Sequence, residues 1–137
     1  MKVTLLQTSL SWHDPAANCE RFDEWLERVA PDTDLVLLPE MFSTGFTMHS
    51  SSMAESMSGP TVAWMRLRAR ERGFVIGGSV VIREADRHYN RFIWARPDET
   101  ITTYDKRHRF RMAGEHLHYD AGCLLYTSPS PRDSIAS

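Results

Sequence analysis

The sequence predicts an α/β protein, and three observations lead to that fold class. Apolar runs of strand length alternate with amphipathic segments that have helical spacing. The runs at 35–38 and 74–82 are almost wholly apolar or small, as in strands buried on both faces of a sheet. The predicted elements follow the order β-α-β-α-β-β-β, which indicates a parallel βαβ opening with an added antiparallel segment.

The first half of the chain contains two predicted strands with a helix between them. A strand is predicted over residues 2–9. Asp14 as N-cap and Pro15 at the first helical position begin a helix, and the turn residues at 31–34 end it. The second strand covers residues 35–38.

The second half begins with a long predicted loop at 41–58. Loops of this length are usually either functional or flexible. Pro60 begins a second helix and Gly73 ends it. Strands are then predicted at 74–82, 89–95 and 100–104. Turns at 84–88 and 97–98 separate these strands.

Composition restricts the class of function. A chain of 137 residues allows one domain, and 42% hydrophobic with 25% charged residues is typical of a globular protein. A net charge of −2 argues against nucleic-acid binding, and no apolar run approaches the ~18 residues that span a bilayer. Cys19 and Cys123 make no disulfide framework, so a reducing cytoplasm is the predicted location.

Two candidate catalytic residues follow predicted strands. Glu40 stands after an apolar strand, at the edge where α/β proteins build their sites, and could act as a general base; the alternative is a solvated loop or capping residue. Lys106 follows strand 100–104 and is one of only two lysines, with Lys2, among 16 basic residues. Its ammonium could stabilise an oxyanion; the alternatives are a solvated loop or an RNA patch over 106–111.

A third candidate, Glu115, stands among two histidines in a segment without a predicted element. His116 and His118 are separated by two positions, which is weak support for a zinc site, and no metal is assigned. Cys19 falls on the apolar face of the first helix and is predicted to be a small buried hydrophobe.

Four segments carry a family resemblance: Leu-Val-Leu-Leu-Pro-Glu-Met-Phe at 35–42, Thr-Gly-Phe at 44–46, Tyr-Asp-Lys-Arg-His at 104–108, and Gly-Glu at 114–115 with Tyr119 and Gly122. Together they resemble the nitrilase superfamily of carbon–nitrogen hydrolases, and within it the omega-amidase branch, which hydrolyses the terminal amide of 2-oxo acid amides.

The resemblance implies the N-terminal part of a four-layer α-β-β-α sandwich. It also implies Glu40 as general base, Lys106 as oxyanion stabiliser, Glu115 as a substrate-positioning residue, and a cysteine nucleophile. It implies a small amide as substrate and a homodimer when full length. No cofactor is predicted, and the charge and hydropathy given above predict no nucleic-acid or membrane partner.

The end of the chain changes character. Residues 123–133 resemble the translation of a sequencing adapter, so 123–137 are predicted to be a non-native tail. Residues 1–122 are then the incomplete N-terminal portion of a hydrolase domain, and Cys123 is not assigned as the nucleophile. Two other interpretations remain open: a non-catalytic α/β binding module, and a small RNA-binding domain.

Overall fold

The computed structural model describes residues 1–107 and 114–122, and the predicted α/β class is confirmed there. The described elements, in chain order, are β1 (Val3–Leu5), α1 (Pro15–Leu26), β2 (Leu35–Leu37), α2 (Ser50–Met53), α3 (Pro60–Arg72), β3 (Val75–Glu84), β4 (Arg87–Ala95), β5 (Ile101–Asp105) and α4 (Glu115–His118). One five-stranded sheet has the order β1-β2-β3-β4-β5. Strands β1, β2 and β3 are parallel, while β3, β4 and β5 are successively antiparallel.

The two long helices begin where the sequence predicts, and α3 also ends where predicted. The Asp14 side chain accepts a hydrogen bond from the Ala17 amide at the start of α1. Gly73 ends α3 in the left-handed conformation at φ 76°, which glycine adopts without steric cost. Helix α1 ends at Leu26, a few residues before the predicted turn at 31–34, because the chain turns there through shorter-range hydrogen bonds.

The strands differ from the predictions mainly at their ends. β1 covers three of the eight residues predicted at 2–9, because its parallel partner β2 stops shortly before Pro39, which has no amide hydrogen to donate. The predicted turn at 84–88 is much tighter. Ala85 and Asp86 form a two-residue turn with φ of 50° and 63°, so β3 and β4 extend to meet it.

Two short helices lie where none was predicted. α2 lies inside the segment predicted as a loop at 41–58, and α4 begins at Glu115. Each has four residues, about one turn, which is too short for a hydrophobic period to appear in the sequence. No helix within residues 1–107 and 114–122 has both the length and the apolar character that a membrane-spanning segment needs.

The main core lies between one face of the sheet and helices α1 and α3. Phe22 and Leu26 of α1 and Met65 of α3 are fully or almost fully buried against Ile76 and Ile93 of the sheet. A side-chain cluster joins the two helices, because the Asp23 carboxylate accepts hydrogen bonds from the Trp64 indole at 2.8 Å and from the Arg68 guanidinium at 2.6 Å.

The opposite face of the sheet is apolar but only partly covered. Val3 and Leu5 of β1 are exposed, at 46% and 65% of their surface. Leu37, Phe92 and Trp94 on the same face are half-buried. Residues 1–107 and 114–122 thus contribute one helix layer and one sheet, which are two of the four layers implied by the family resemblance.

Candidate active site

Three segments meet at one edge of the sheet. Strands β2 and β5 both end at this edge, so Glu40 and Lys106, which follow them, are brought together. Strand β4 runs the other way and contributes Asn90 near its beginning. The Lys106 amide donates to the Asn90 carbonyl at 2.9 Å, which extends the β4–β5 ladder to the site.

The Lys106 ammonium lies between two carboxylates. Its Nζ is 2.9 Å from Glu40 Oε2 and 3.1 Å from Glu115 Oε1. Glu115 is fully buried, whereas the Glu40 side chain keeps 43% of its surface exposed. The site therefore has one deep carboxylate and one that solvent or substrate can reach.

The charge state of Lys106 follows from these contacts. Burial works to lower the pKa of the ammonium, but the hydrogen bonds and negative charges of Glu40 and Glu115 outweigh burial and raise it above the ordinary value. Lys106 is therefore a cation throughout the physiological pH range. Its ammonium also lies over the Phe46 ring, 5.6 Å from the centroid, in a cation–π contact.

Asn90, near the beginning of β4, completes the cluster. Its Nδ2 donates to Glu40 Oε2 at 2.5 Å and to Glu115 Oε2 at 3.2 Å. The side chain is almost fully buried, at 2% exposure. The two carboxylates determine the orientation of the amide, since the reverse orientation would point its oxygen at two anions.

The loop after β2 has a backbone that only a tight turn explains. Met41 adopts φ 49°, and its amide donates to Ser79 Oγ of β3 at 2.8 Å. The Met41 carbonyl accepts from the Gly45 amide at 2.9 Å, and Gly45 has φ 83°. A Cβ added at Gly45 would lie only 2.9 Å from the Trp12 ring. A side chain at position 45 would therefore clash with Trp12 as well as strain the turn. This turn keeps Glu40 at the sheet edge.

Tyr119 connects α4 to the same loop. Its hydroxyl donates to the Thr47 carbonyl at 2.6 Å, and Ser50 Oγ donates to the His118 carbonyl at 2.7 Å. Burial raises the pKa of the Tyr119 phenol, with smaller contributions from the charges of Glu115 and Glu40. Because the phenol stays protonated, it holds α4, and with it Glu115, against the loop.

The described residues contain one cysteine, and its chemistry is not that of a nucleophile. Cys19 on α1 packs against the main core as predicted, but it is only partly buried. Burial, together with the charges of Asp23 and Glu55, raises the pKa of its thiol to about 12. A thiol with that pKa is almost wholly protonated at neutral pH. Cys123 lies outside the described residues.

The basic segment predicted as an alternative RNA patch is only partly described. Lys106 is engaged by two carboxylates, and the Arg107 guanidinium donates to the Tyr104 hydroxyl at 2.8 Å. Residues 108–111 of that segment lie outside the described residues. Within residues 1–107 and 114–122, no three side chains of the His, Cys, Asp or Glu type are grouped as metal ligands.

A second charged cluster lies on the other face of the sheet. It contains Arg91 and Asp105, which are the neighbours in sequence of Asn90 and Lys106. Arg91 contacts Asp105 through two hydrogen bonds of 2.6 and 3.0 Å and Glu84 through one of 2.9 Å. Its guanidinium also lies 5.2 Å from the centroid of the Tyr89 ring. Burial works to lower the pKa of Arg91, but the hydrogen bonds that it donates to the two carboxylates raise it.

The structure thus brings the three predicted site residues, Glu40, Lys106 and Glu115, into one hydrogen-bonded cluster. Sequence reasoning missed Asn90. The available signal was weak: Asn90 is a polar residue inside the strand segment 89–95, and one of only two asparagines in the chain. Its pairing across the sheet with Val81, which carries it to the site, is not visible in the sequence.

Comparisons with known proteins agree with this geometry. The family described as carbon-nitrogen hydrolase matches residues 2–124. The omega-amidase YafV of Yersinia enterocolitica is 46% identical over 122 residues, which are 89% of this chain and 47% of that protein. The 2-oxoglutaramate amidase of Bacillus subtilis is 27% identical over 123 residues, which are 88% of this chain and 48% of that protein.

A solved structure gives the same result. XC1258 from Xanthomonas campestris, a CN-hydrolase superfamily protein with an arsenic adduct in its active site, superposes with a TM-score of 0.84 and 45% identity. The superposition covers 91% of this chain and 49% of that one. The chain spans about half the length of the relatives it matches. On this match of sequence and fold, the chain belongs to the carbon–nitrogen hydrolase family, on the omega-amidase side of the nitrilase superfamily.

Proposed function

We propose that residues 1–122 are the N-terminal half of an omega-amidase, which releases ammonia from the terminal amide of small 2-oxo acid amides. The observation that carries the proposal is the cluster of Lys106 between Glu40 and Glu115. The similarity to omega-amidases and to a 2-oxoglutaramate amidase supports the substrate class.

In the proposed reaction, Glu40 is the general base. Both Lys106 and Asn90 contact its Oε2, so neither of them uses Oε1. Glu40 is also the more exposed carboxylate of the pair. We assign Oε1 as the atom that takes the proton of a cysteine thiol while the sulfur bonds to the amide carbon.

Lys106 stabilises the oxyanion that this attack creates. An ammonium has three N–H donors, and among the described residues two of them reach Glu40 and Glu115. The third is then available for the tetrahedral oxygen. Glu40 returns its proton to the leaving nitrogen, the C–N bond breaks, and ammonia departs. Water then hydrolyses the thioester, with Glu40 again accepting a proton, and the thiol is restored.

Glu115 has a different task. Its two oxygens are held separately, Oε1 by Lys106 and Oε2 by Asn90. A fully buried carboxylate held in this way is suited to positioning rather than to proton transfer. We propose that it fixes the Lys106 ammonium and, with it, the substrate carbonyl.

The remaining parts of the proposal concern the whole protein. The nucleophilic cysteine is assigned to sequence that follows residue 122 in the complete protein, and residues 123–137 are assigned as a non-native tail. A thiol nucleophile requires a reducing setting, for which we propose the cytoplasm. We propose a homodimer for the complete protein.

The test is an ammonia-release assay on the complete protein, expressed from the gene sequence that continues past codon 122. We expect release from 2-oxoglutaramate and 2-oxosuccinamate, and much slower release from glutamine and asparagine, their 2-amino counterparts. No release from any of these amides contradicts the proposal. Equal rates on both pairs contradict the substrate class.

The 137-residue chain is a second test. We expect it to release no ammonia from 2-oxoglutaramate, because Cys19 is a poor nucleophile and Cys123 is not assigned to the reaction. Activity of this chain that is abolished by Cys123→Ala contradicts both the assignment of the nucleophile and that of the tail.

A further inference from the structure

Asn90 contacts both of the carboxylates that the proposed reaction requires, Glu40 and Glu115, as Lys106 does. Its single amide nitrogen has two hydrogens, and two carboxylate oxygens lie within hydrogen-bonding distance of it. We infer that Asn90 is a positioning residue, whose amide holds Glu40 and Glu115 on either side of Lys106 and leaves Glu40 Oε1 as the reacting oxygen. This inference rests on the proposed amidase function.

The geometry at Glu40 carries the inference. Both neighbouring donors converge on one oxygen, Oε2, with Asn90 at 2.5 Å and Lys106 at 2.9 Å. A carboxylate bound at one oxygen by two donors cannot rotate freely about its last bond, so the other oxygen keeps a constant direction. A lysine alone would not give this constraint, because an ammonium is a rotating point charge.

The other buried asparagine in the chain shows what a structural role looks like. Asn18 is fully buried on α1. Its amide bonds only to backbone groups of Ser11 and Ser43, at 2.7 to 2.8 Å. Asn18 therefore anchors two loops, whereas the Asn90 amide is directed to two ionisable side chains. The chain thus contains its own matched control for any asparagine substitution.

Charge around Asn90 determines how a substitution should behave. Glu40 faces it from the end of β2, Lys106 from the end of β5, and Glu115 from α4, with the phenol of Tyr119 beyond Glu115. His88 of β4, two positions earlier, contacts Ser50 of α2 through its ring and Asp120 after α4 through its backbone amide. The change Asn90→Asp would add a third carboxylate to this group, with no donor until it takes up a proton.

The experiment compares Asn90→Leu and Asn90→Asp in the complete protein, with 2-oxoglutaramate as substrate. Both variants lose the amide donor, so we expect kcat to fall about 10- to 100-fold, the effect of a hydrogen bond to a charged group. KM should change little, because Asn90 orients the base and does not hold the substrate.

The pH dependence separates positioning from packing. A protonated carboxylic acid at position 90 can donate to Glu40 as the amide does, so the activity of Asn90→Asp relative to wild type should rise as the pH falls from 8 to 5. The Asn90→Leu variant has no donor at any pH, so its relative activity should stay constant. Asn18→Asp should lower the melting temperature and leave the pH profile unchanged.

Each outcome decides the inference. Wild-type kcat in a folded Asn90→Leu overturns it and leaves the amidase function standing. A constant relative activity of Asn90→Asp across pH overturns it, as does loss of folding in both Asn90 variants, which would make Asn90 structural like Asn18. Wild-type protein that releases no ammonia from 2-oxo acid amides overturns the function and this inference together.

Discussion

Two clusters of one cation and two carboxylates lie back to back on the sheet. Lys106 contacts Glu40 and Glu115 on one face, and Arg91 contacts Asp105 and Glu84 on the other. Both cations are largely buried, with side-chain exposures of 18% and 7%. Each also lies over an aromatic ring, so composition and burial alone do not distinguish the two clusters.

The difference lies in how each cation uses its donors. Arg91 binds Asp105 through two parallel hydrogen bonds and Glu84 through a third, so its planar fork is committed to structure. Lys106 has a compact head with three donors, of which two reach carboxylates in the described part of the chain. The arginine cluster ties strands β3, β4 and β5 together. We propose that the lysine cluster keeps a donor and a carboxylate oxygen for chemistry.

The largest effect is expected when the proposed base, Glu40, is removed. Glu40→Gln keeps the size of the side chain but cannot accept the thiol proton, so we expect kcat/KM on 2-oxoglutaramate to fall by about 10²- to 10⁴-fold. The melting temperature should change little, because Glu40 is partly exposed. Glu20→Gln, an exposed change on α1, is the matched control and should keep wild-type activity.

The second prediction concerns the structural cluster. Arg91→Leu leaves Asp105 and Glu84 without their cation, and breaking a fully buried pair costs ~3–5 kcal/mol. Because both carboxylates keep contact with water, we expect a smaller loss, about 2 kcal/mol in the free energy of unfolding. Urea denaturation measures it. A stable Arg91→Leu protein with greatly reduced kcat would mean that the two clusters do not divide their roles.

A third and smaller effect is expected at Glu115. Glu115→Gln keeps an oxygen for Lys106, so the reaction should continue with KM raised about 10-fold and kcat changed less. Steady-state kinetics on 2-oxoglutaramate separate the two constants. A fall in kcat as large as that of Glu40→Gln would assign Glu115 to proton transfer instead of positioning.

The smallest effect concerns pH. Lys106 has a folded-state pKa raised above its ordinary value of 10.5, so the stability from its ion pairs is complete below the unfolded pKa and is lost as the pH rises through the folded value. We expect the Lys106 ε-carbon NMR signal, assigned with Lys106→Arg, to show no titration between about pH 6 and 10. A midpoint below about pH 10 would contradict the ion pairs.

Much of the fold follows from local signals in the sequence. Pro60 and Gly73 bound α3 because each has a conformational preference that acts alone. The one-turn helices α2 and α4 were missed, since four residues contain no period to detect. β1 was predicted too long, because its end depends on the backbone of β2 and not on its own residues.

Some residues of the candidate site could likewise be predicted from the sequence, and others could not. Glu40 and Lys106 could be predicted from their places after strands, and Glu115 from the family resemblance. Asn90 could not, because its role depends on the register that opposes it to Val81 and on contacts with residues 50 and 25 positions away in the chain. The proposed division of roles between the lysine and arginine clusters is also invisible in the sequence. Asp105 of the arginine cluster directly precedes Lys106, and only the pleat of the strand separates their side chains.

If Lys106 serves chemistry while Arg91 serves structure, exchanging the two kinds of cation should affect different properties of the protein. Lys106→Arg and Arg91→Lys each keep the charge and change the shape of the head. We measure kcat/KM on 2-oxoglutaramate and the melting temperature for both variants of the complete protein, with Lys2→Arg, the change at the only other lysine of the 137 residues, as control. We expect Lys106→Arg to lose about 10²- to 10³-fold in kcat/KM at an unchanged melting temperature. We expect Arg91→Lys to have a lower melting temperature with near wild-type kcat/KM. Near wild-type turnover in a folded Lys106→Arg protein would contradict this division of roles.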